Sequence, residues 1–189
     1  AASDSVAAFD PQDASIRQKG VLAFRLQQTP WSLALNLEQV PPWIQVTSLQ
    51  HVLLSEAQMK VTANLHYQIE NTGLKRLHVR LPTNAESVVF KGEQVSDFLR
   101  RGDAMPDGTQ EWEVKLHRRV IGKYPLQVSY LVPVPEQATN AVIRGPQAVD
   151  ADLHRGFLTI QSGDRLQVSA ATVPVTLQPT EWQSIPRAL

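Results

Sequence analysis

Apolar and polar residues alternate along much of the chain with a period of two. From Gln58 to Glu70, Met59, Val61, Ala63, Leu65, Tyr67 and Ile69 take the odd positions, while Lys60, Thr62, Asn64, His66, Gln68 and Glu70 take the even ones. A helix would scatter these apolar side chains around its axis, whereas a strand puts them on one face. Asn71-Thr72-Gly73 follows, ending in the residue that best tolerates a left-handed backbone, and alternation resumes at Leu77, Val79 and Leu81. The spacing predicts a β-hairpin with a three-residue loop.

The same signal recurs on both sides. Val21 to Gln27 is an apolar run, and Leu33, Leu35 and Leu37 alternate with Ser32, Ala34 and Asn36. Ser87–Phe90 and Val95–Arg100 predict short strands, the second at an edge. Met105-Pro106-Asp107-Gly108 predicts a turn, because proline presets its second position and glycine accepts positive φ. Beyond it, Trp112, Val114 and Leu116 share a face, as do Tyr124, Leu126, Val128, Tyr130 and Val132, until Pro133 and Pro135 stop the strand. Further short strands are expected at 141–143, 156–161, 165–170 and 172–177, with Ser162-Gly163-Asp164 as a turn.

No stretch sustains the helical spacing i, i+3, i+4, i+7 for more than two turns; Gln94–Arg101 is the nearest to it, and strand or loop fits it better. About ten to twelve short strands separated by turns predict an all-β fold, an antiparallel β-sandwich that is immunoglobulin-like or an elaboration of that plan. Residues 1–20 are small and polar, with Asp10-Pro11 breaking any regular element, and are expected to form an arm or linker. Residues 21–189 are expected to form a single sandwich domain, with a possible internal boundary near 40–47, at Val40-Pro41-Pro42-Trp43.

Composition narrows the function classes. The 189 residues hold 18 Lys+Arg against 18 Asp+Glu, a net charge of +0, so the chain as a whole has no electrostatic pull on nucleic acid or anionic lipid. No apolar run is long enough to span a membrane, and no direct membrane insertion is expected. Cys 0 excludes disulfides, thiolate metal sites and a cysteine nucleophile. It also suits an exported bacterial protein, periplasmic or extracellular, in which stray thiols would oxidise. The start, Ala1-Ala2-Ser3-Asp4, lacks the regions of a signal peptide, which points to a chain whose leader has been removed or to an excised piece of something larger.

Candidate chemistry is sparse. Phosphate-cradling glycine motifs, the nucleophile elbow and HExxH are absent, and the chain is read as a non-enzyme with no cofactor. In the predicted hairpin His66 would lie directly opposite His78, close enough for two imidazoles to share a metal. Arg76 and Arg80 flank that pair and no carboxylate joins it, so a polar sheet face is the plainer reading and no metal is expected. Asp150-Ala151-Asp152 offers two carboxylates to a hard cation, but a turn entering the next strand is the plainer account of them. Arg101-Gly102-Asp103 spells an adhesion tripeptide that chance also produces. Arg118-Arg119, with Lys115 and Lys123, could gather beside Arg100 and Arg101 into a basic patch, but with neutral overall charge a solvated strand edge is the plainer reading. Of the tryptophans, Trp112 is in phase with the core, while Trp31, Trp43 and Trp182 are candidates for exposure and for stacking on sugar rings.

One resemblance adds to this reading. Gly122 to Tyr130, Ile143-Arg144-Gly145-Pro146, Arg155 to Ile160 and Glu181 to Pro186, together with the Tyr67–Leu81 segment, resemble uncharacterised β-sandwich regions of large membrane-anchored bacterial envelope proteins. It covers roughly Ser48 to Pro186. It implies a non-catalytic structural or protein-interaction module whose partners are other domains of a longer parent chain or an envelope protein. A carbohydrate-binding module using Trp31, Trp43 or Trp182 is the alternative.

Overall fold

The computed structural model describes residues 24–136, 138–163 and 165–186. Chain contacts divide them into two units between Gln39 and Val40. In the first, residues 24–39 form neither helix nor strand, and Trp31, Leu33, Leu35 and Leu37 are exposed. The strand expected at 31–37 is therefore not formed. Alternation prepares side chains for burial, but a strand also needs a neighbour to take its backbone groups, and no ladder includes these residues. The arm expected at 1–20 and the start of the 21–27 run lie outside the described residues.

The second unit is all-β, with seven strands: β1 (Trp43–Leu54), β2 (Gln58–Pro82), β3 (Glu86–Lys91), β4 (Val95–Arg101), β5 (Thr109–Pro133), β6 (Gln147–Ala148) and β7 (Leu153–Ser162). One turn of 3-10 helix spans Trp182–Ser184. The count is below the ten to twelve expected for two reasons. Segments read as separate strands on either side of Asn71–Gly73 and of Ile121-Gly122 are single strands of 25 residues each. Residues 141–143, 165–170 and 172–177 are irregular, and Val168, Val173, Val175 and Leu177 are exposed.

β2 and β5 run antiparallel along their whole lengths, and their register breaks between Ile69 and Arg76. There the chain bends instead of reversing, which corrects the expected hairpin. Asn71, at φ 66, supplies the left-handed step. The Thr72 hydroxyl donates to the Val40 carbonyl at 2.6 Å and the Asn71 amide donates to the Pro41 carbonyl at 3.4 Å, tying the bend to the chain entering β1. The hairpin partner of β2 is β1, joined to it through Ser55–Ala57.

The bend creates two layers from one continuous sheet. The first carries β3, the second half of β5, the first half of β2, β1 and β7; the second carries β4, the first half of β5, the second half of β2 and β6. Their facing sides are the core. Val61, Ala63, Leu65, Tyr67 and Ile69 pair with Tyr130, Val128, Leu126, Tyr124 and Gly122, while Leu77, Val79 and Leu81 are fully buried in the second layer. Phe90 of the first layer meets Phe98 of the second edge-on, with centroids 5.3 Å apart, and Trp112 completes the cluster. Each buried Leu, Ile or Phe contributes roughly 1.5–3 kcal/mol relative to exposure. The sheet is mixed, not purely antiparallel, because β7 lies parallel to β1.

Candidate functional site

The expected His66–His78 pair does not exist. With β2 running straight through the bend, both histidines lie on one strand, where His66 is in register with Pro125 and His78 with Glu113. Among the described residues no group of three His, Asp or Glu side chains is placed to hold a metal.

His78 instead belongs to a network of charges on the outward face of the second layer. Glu113, buried despite its charge, has its carboxylate 3.8 Å from Arg76, 3.7 Å from Arg101 and 3.7 Å from His78. The His78 ring Nδ1 lies 2.7 Å from Asp150 Oδ2, and Nε2 lies 3.0 Å from Arg101 Nη1. A neutral ring that donates from Nδ1 and accepts at Nε2 satisfies both contacts. Arg80 with Glu111 at 3.8 Å and Lys115 with Asp97 at 3.9 Å extend the pattern. Opposite charges thus face each other across neighbouring strands, an arrangement that fixes register. Lys115, Arg100 and Arg101 do not join Arg118, Arg119 and Lys123 in a basic patch: Lys115 and Arg101 face carboxylates, and Arg100 stacks on Trp112 at 5.4 Å.

Asp150 and Asp152 do not converge as a cation site would require. Asp150 is bound to His78, while Asp152 Oδ2 accepts the Ile44 backbone N–H at 2.7 Å. Backbone bonds from Val149 to the His78 carbonyl and from Asp152 to the Ile44 carbonyl, both 2.9 Å, join the same two strands. The segment between β6 and β7 is therefore a brace that fastens β2 of the second layer to the start of β1 in the first, and it delivers the chain into β7.

β7 is the structure's open edge. It runs ten residues beside β1 without a register break, and no strand among the described residues pairs with its other side. A terminal strand of this kind presents a row of free N–H and C=O groups. The other edges are blunted. β3 has six residues with a bulge and carries Glu86 and Lys91; β4 also bulges and carries Asp97, Arg100 and Arg101. In β7 the fully charged residue is Arg155, and Leu153 and Ile160 are exposed. His154 lies on its core face, and burial holds the pKa of the imidazole below its ordinary value. The ring accepts the Ala148 N–H at Nδ1 (3.4 Å) and lies 3.1 Å from Ser48 Oγ at Nε2.

A cavity of about 320 Å³ lies elsewhere in this unit, floored by Met59, Val61 and Val132 and rimmed by Ile143 and Arg144. The Tyr130 hydroxyl holds that rim by donating to the Arg144 carbonyl at 2.9 Å. The expected Met105–Gly108 turn is formed: Gly108 N–H donates to the Met105 carbonyl with φ 75 at Gly108. Thr109 donates to Asp107 through its hydroxyl and its amide, which holds the Asp107 carboxyl below its ordinary range.

The tryptophan candidates are exposed to different degrees: Trp31 66%, Trp182 71% and Trp43 39%. Trp43 opens β1 opposite Glu70, and Trp182 sits in the 3-10 turn. The network around Glu113 and the edge at β7 were both missed in the sequence, because each depends on which strands become neighbours.

No family model matches the sequence, and no curated protein matches it. Partial likenesses to solved structures exist. An M1 zinc metallopeptidase from Deinococcus radiodurans is 17% identical, with 54% of this chain and 23% of that one covered, at a TM-score of 0.36. Native leukotriene A4 hydrolase from Saccharomyces cerevisiae is 11% identical, over 51% of this chain and 16% of that one, at 0.38. A non-cellulosomal cohesin from Archaeoglobus fulgidus is 11% identical, over 65% of this chain and 93% of that one, at 0.37. This chain thus spans less than a quarter of either enzyme, and at such TM-scores no property of these proteins transfers to it.

Proposed function

We propose that this chain is a non-catalytic protein-interaction module of an exported bacterial protein, which binds by accepting an extended segment of its partner along β7. The partner is another domain of a longer parent chain or a separate envelope protein. The observation that carries this reading is the contrast between edges: β3 and β4 are short, bulged and charged, whereas β7 is ten residues long, in unbroken register and lightly charged. Strand addition draws affinity from main-chain hydrogen bonds and specificity from side-chain contacts, here beside Leu153 on one face of β7 and Ile160 on the other. The brace through Asp150 and Asp152 presents the edge in a fixed position.

A photo-crosslinking residue placed at Gln161, in cells that make the full-length protein, tests this. The expected result is a discrete crosslinked partner or neighbouring domain that a crosslinker at Lys60, near the start of β2 and flanked by β1 and β5, does not capture. Identical products from both positions, or none from Gln161, would refute it. Saturable quenching of tryptophan fluorescence by a sugar, abolished by Trp182→Ala, would replace it with the carbohydrate-binding reading.

A further inference from the structure

Some cations of the β unit face carboxylates and others do not; among the described residues Lys60, Lys91 and Arg155 are exposed without an ion-pair partner at scattered places, while four more are gathered at one place. Arg76, Arg80, Arg101 and Lys115 each face a carboxylate at 3.7–3.9 Å on the second layer. Lys75, Arg118, Arg119 and Lys123 are exposed, and among the described residues none has an ion-pair partner. All four stand at the bend. The ladder pairs Leu74 with Val120 and Arg76 with Lys115, so Leu116 to Arg119 of β5 bulge against the single residue Lys75 of β2. Gly73 lies close by, where an added Cβ would come 3.4 Å from Arg119 Cβ. Lys123 follows in register with Gln68. The carboxylates on adjoining segments are Glu70 and Glu93, and His117 lies in the bulge itself.

Two exposed apolar side chains share this end of the sheet. Ile121, between Arg119 and Lys123, is 62% exposed, although its neighbour Val120 is buried. Trp43 pairs with Glu70, one step beyond the row that joins Ile44, Ile69 and Gly122. Side-chain alternation puts Ile44 and Ile69 in the core and therefore turns Trp43 and Ile121 outward. A bulged bend carrying free cations around a tryptophan and an isoleucine has the chemistry of a bilayer surface reader. Basic side chains seek lipid phosphates, while tryptophan settles at headgroup level.

We propose that this bend is a peripheral docking site for an anionic lipid surface, with Lys75, Arg118, Arg119 and Lys123 contacting phosphates and Trp43 and Ile121 entering the headgroup layer. It is independent of strand addition at β7. The combination favours lipid over a soluble polyanion, which would engage the cations but leave Trp43 and Ile121 without a role.

Sedimentation of the whole 189-residue chain with vesicles tests the assignment. Vesicles of phosphatidylcholine containing about 30 mol% phosphatidylglycerol should bind it at low salt, and pure phosphatidylcholine should bind it at least roughly tenfold more weakly. Arg118→Glu with Arg119→Glu should abolish the difference between the two vesicles, whereas Lys60→Glu, remote from the bend, should leave it intact. Ile121→Ser should weaken binding with every charge retained, and the blue shift of fluorescence on binding should shrink in Trp43→Ala. If charge reversal alters the β-type circular dichroism, Arg118→Gln with Arg119→Gln replaces it. Equal binding to both vesicles, binding unaffected by the arginine substitutions, or binding to heparin without binding to vesicles would each overturn the proposal.

Discussion

Replacing Gly156 by alanine probes how β7 is held. Gly156 sits opposite Ser48 in the parallel ladder, and a Cβ added there would lie 2.2 Å from both the Ser48 carbonyl oxygen and Oγ and 3.0 Å from its carbonyl carbon. Ordinary contact needs more than a further ångström. β1 cannot yield it, because Ser48 is buried and β1 is locked to β2 through an unbroken ladder from Trp43 to Leu54. The displacement falls on β7. Forcing an extra methyl into a packed site costs about 1–3 kcal/mol. The alanine's lower entropy in the unfolded chain returns roughly 0.5 kcal/mol, from a range of 0.4–1. The net loss is about 1.5 kcal/mol, which in a chain of this size lowers the melting temperature by about 3–6 °C. Urea titration gives the stability, and amide exchange read by mass spectrometry shows where it is lost: peptides covering 153–162 should exchange faster while those covering 58–70 keep their protection. Gly102→Ala is the control, since Gly102 has φ 64 but open space around it and should cost only backbone strain with no change at β7. If Gly156→Ala leaves both stability and β7 exchange unchanged, the close approach of β7 to β1 is wrong, and the rigidity of the binding edge with it.

Three further predictions address buried polar groups. His154 has its pKa held below the ordinary 6.5 by burial, so the unfolded chain takes up its proton first as pH falls; the stability contribution of neutral His154 is complete above pH 6.5 and declines on the acid side, and His154→Gln should flatten that part of a melting-temperature profile. The Tyr67 hydroxyl is buried without a partner, and burial followed by the Asp150 charge pushes its pKa far up, so Tyr67→Phe should leave stability unchanged or raise it by about 1 kcal/mol in urea titration. Glu113→Ala removes the one acid that Arg76, His78 and Arg101 share; because both arginines are largely exposed the loss should be about 1–2 kcal/mol, and a loss below about 0.3 kcal/mol would show the network to be passive.

Side-chain alternation made the faces legible and left the connections hidden. The odd residues from Met59 to Ile69 are buried as their spacing requires, and so are Tyr124 to Val132 at even positions. What spacing does not encode is direction. A polar triplet such as Asn71-Thr72-Gly73 suits a reversal and a bend equally, since each asks for one left-handed residue, and the outcome was decided by β5, which lies about forty residues away and runs alongside both halves. The pairing of His66 with His78 failed with the hairpin that produced it. Residues 31–37 and 172–177 show the opposite limit: their alternation is as clean as that of β2, but no ladder takes them up. The parallel contact of β1 with β7 joins segments more than a hundred residues apart and leaves no local trace.

The brace explains why an edge strand can remain both open and ordered. A strand paired on one side alone, joined by irregular segments, would ordinarily fray, because its free side returns no hydrogen bonds for the entropy lost in fixing it. Here the chain entering β7 is fastened at three points before the strand begins, through Val149 and Asp150 to His78 and through Asp152 to Ile44. Within the strand, His154 reaches Ser48 and Thr159 meets His51 at 2.9 Å, so its β1 side carries side-chain bonds in addition to the ladder. A partner strand arriving on the free side would therefore meet backbone groups already in position. In that arrangement much of the ordering cost is met in the unbound protein, and the affinity of added hydrogen bonds is retained.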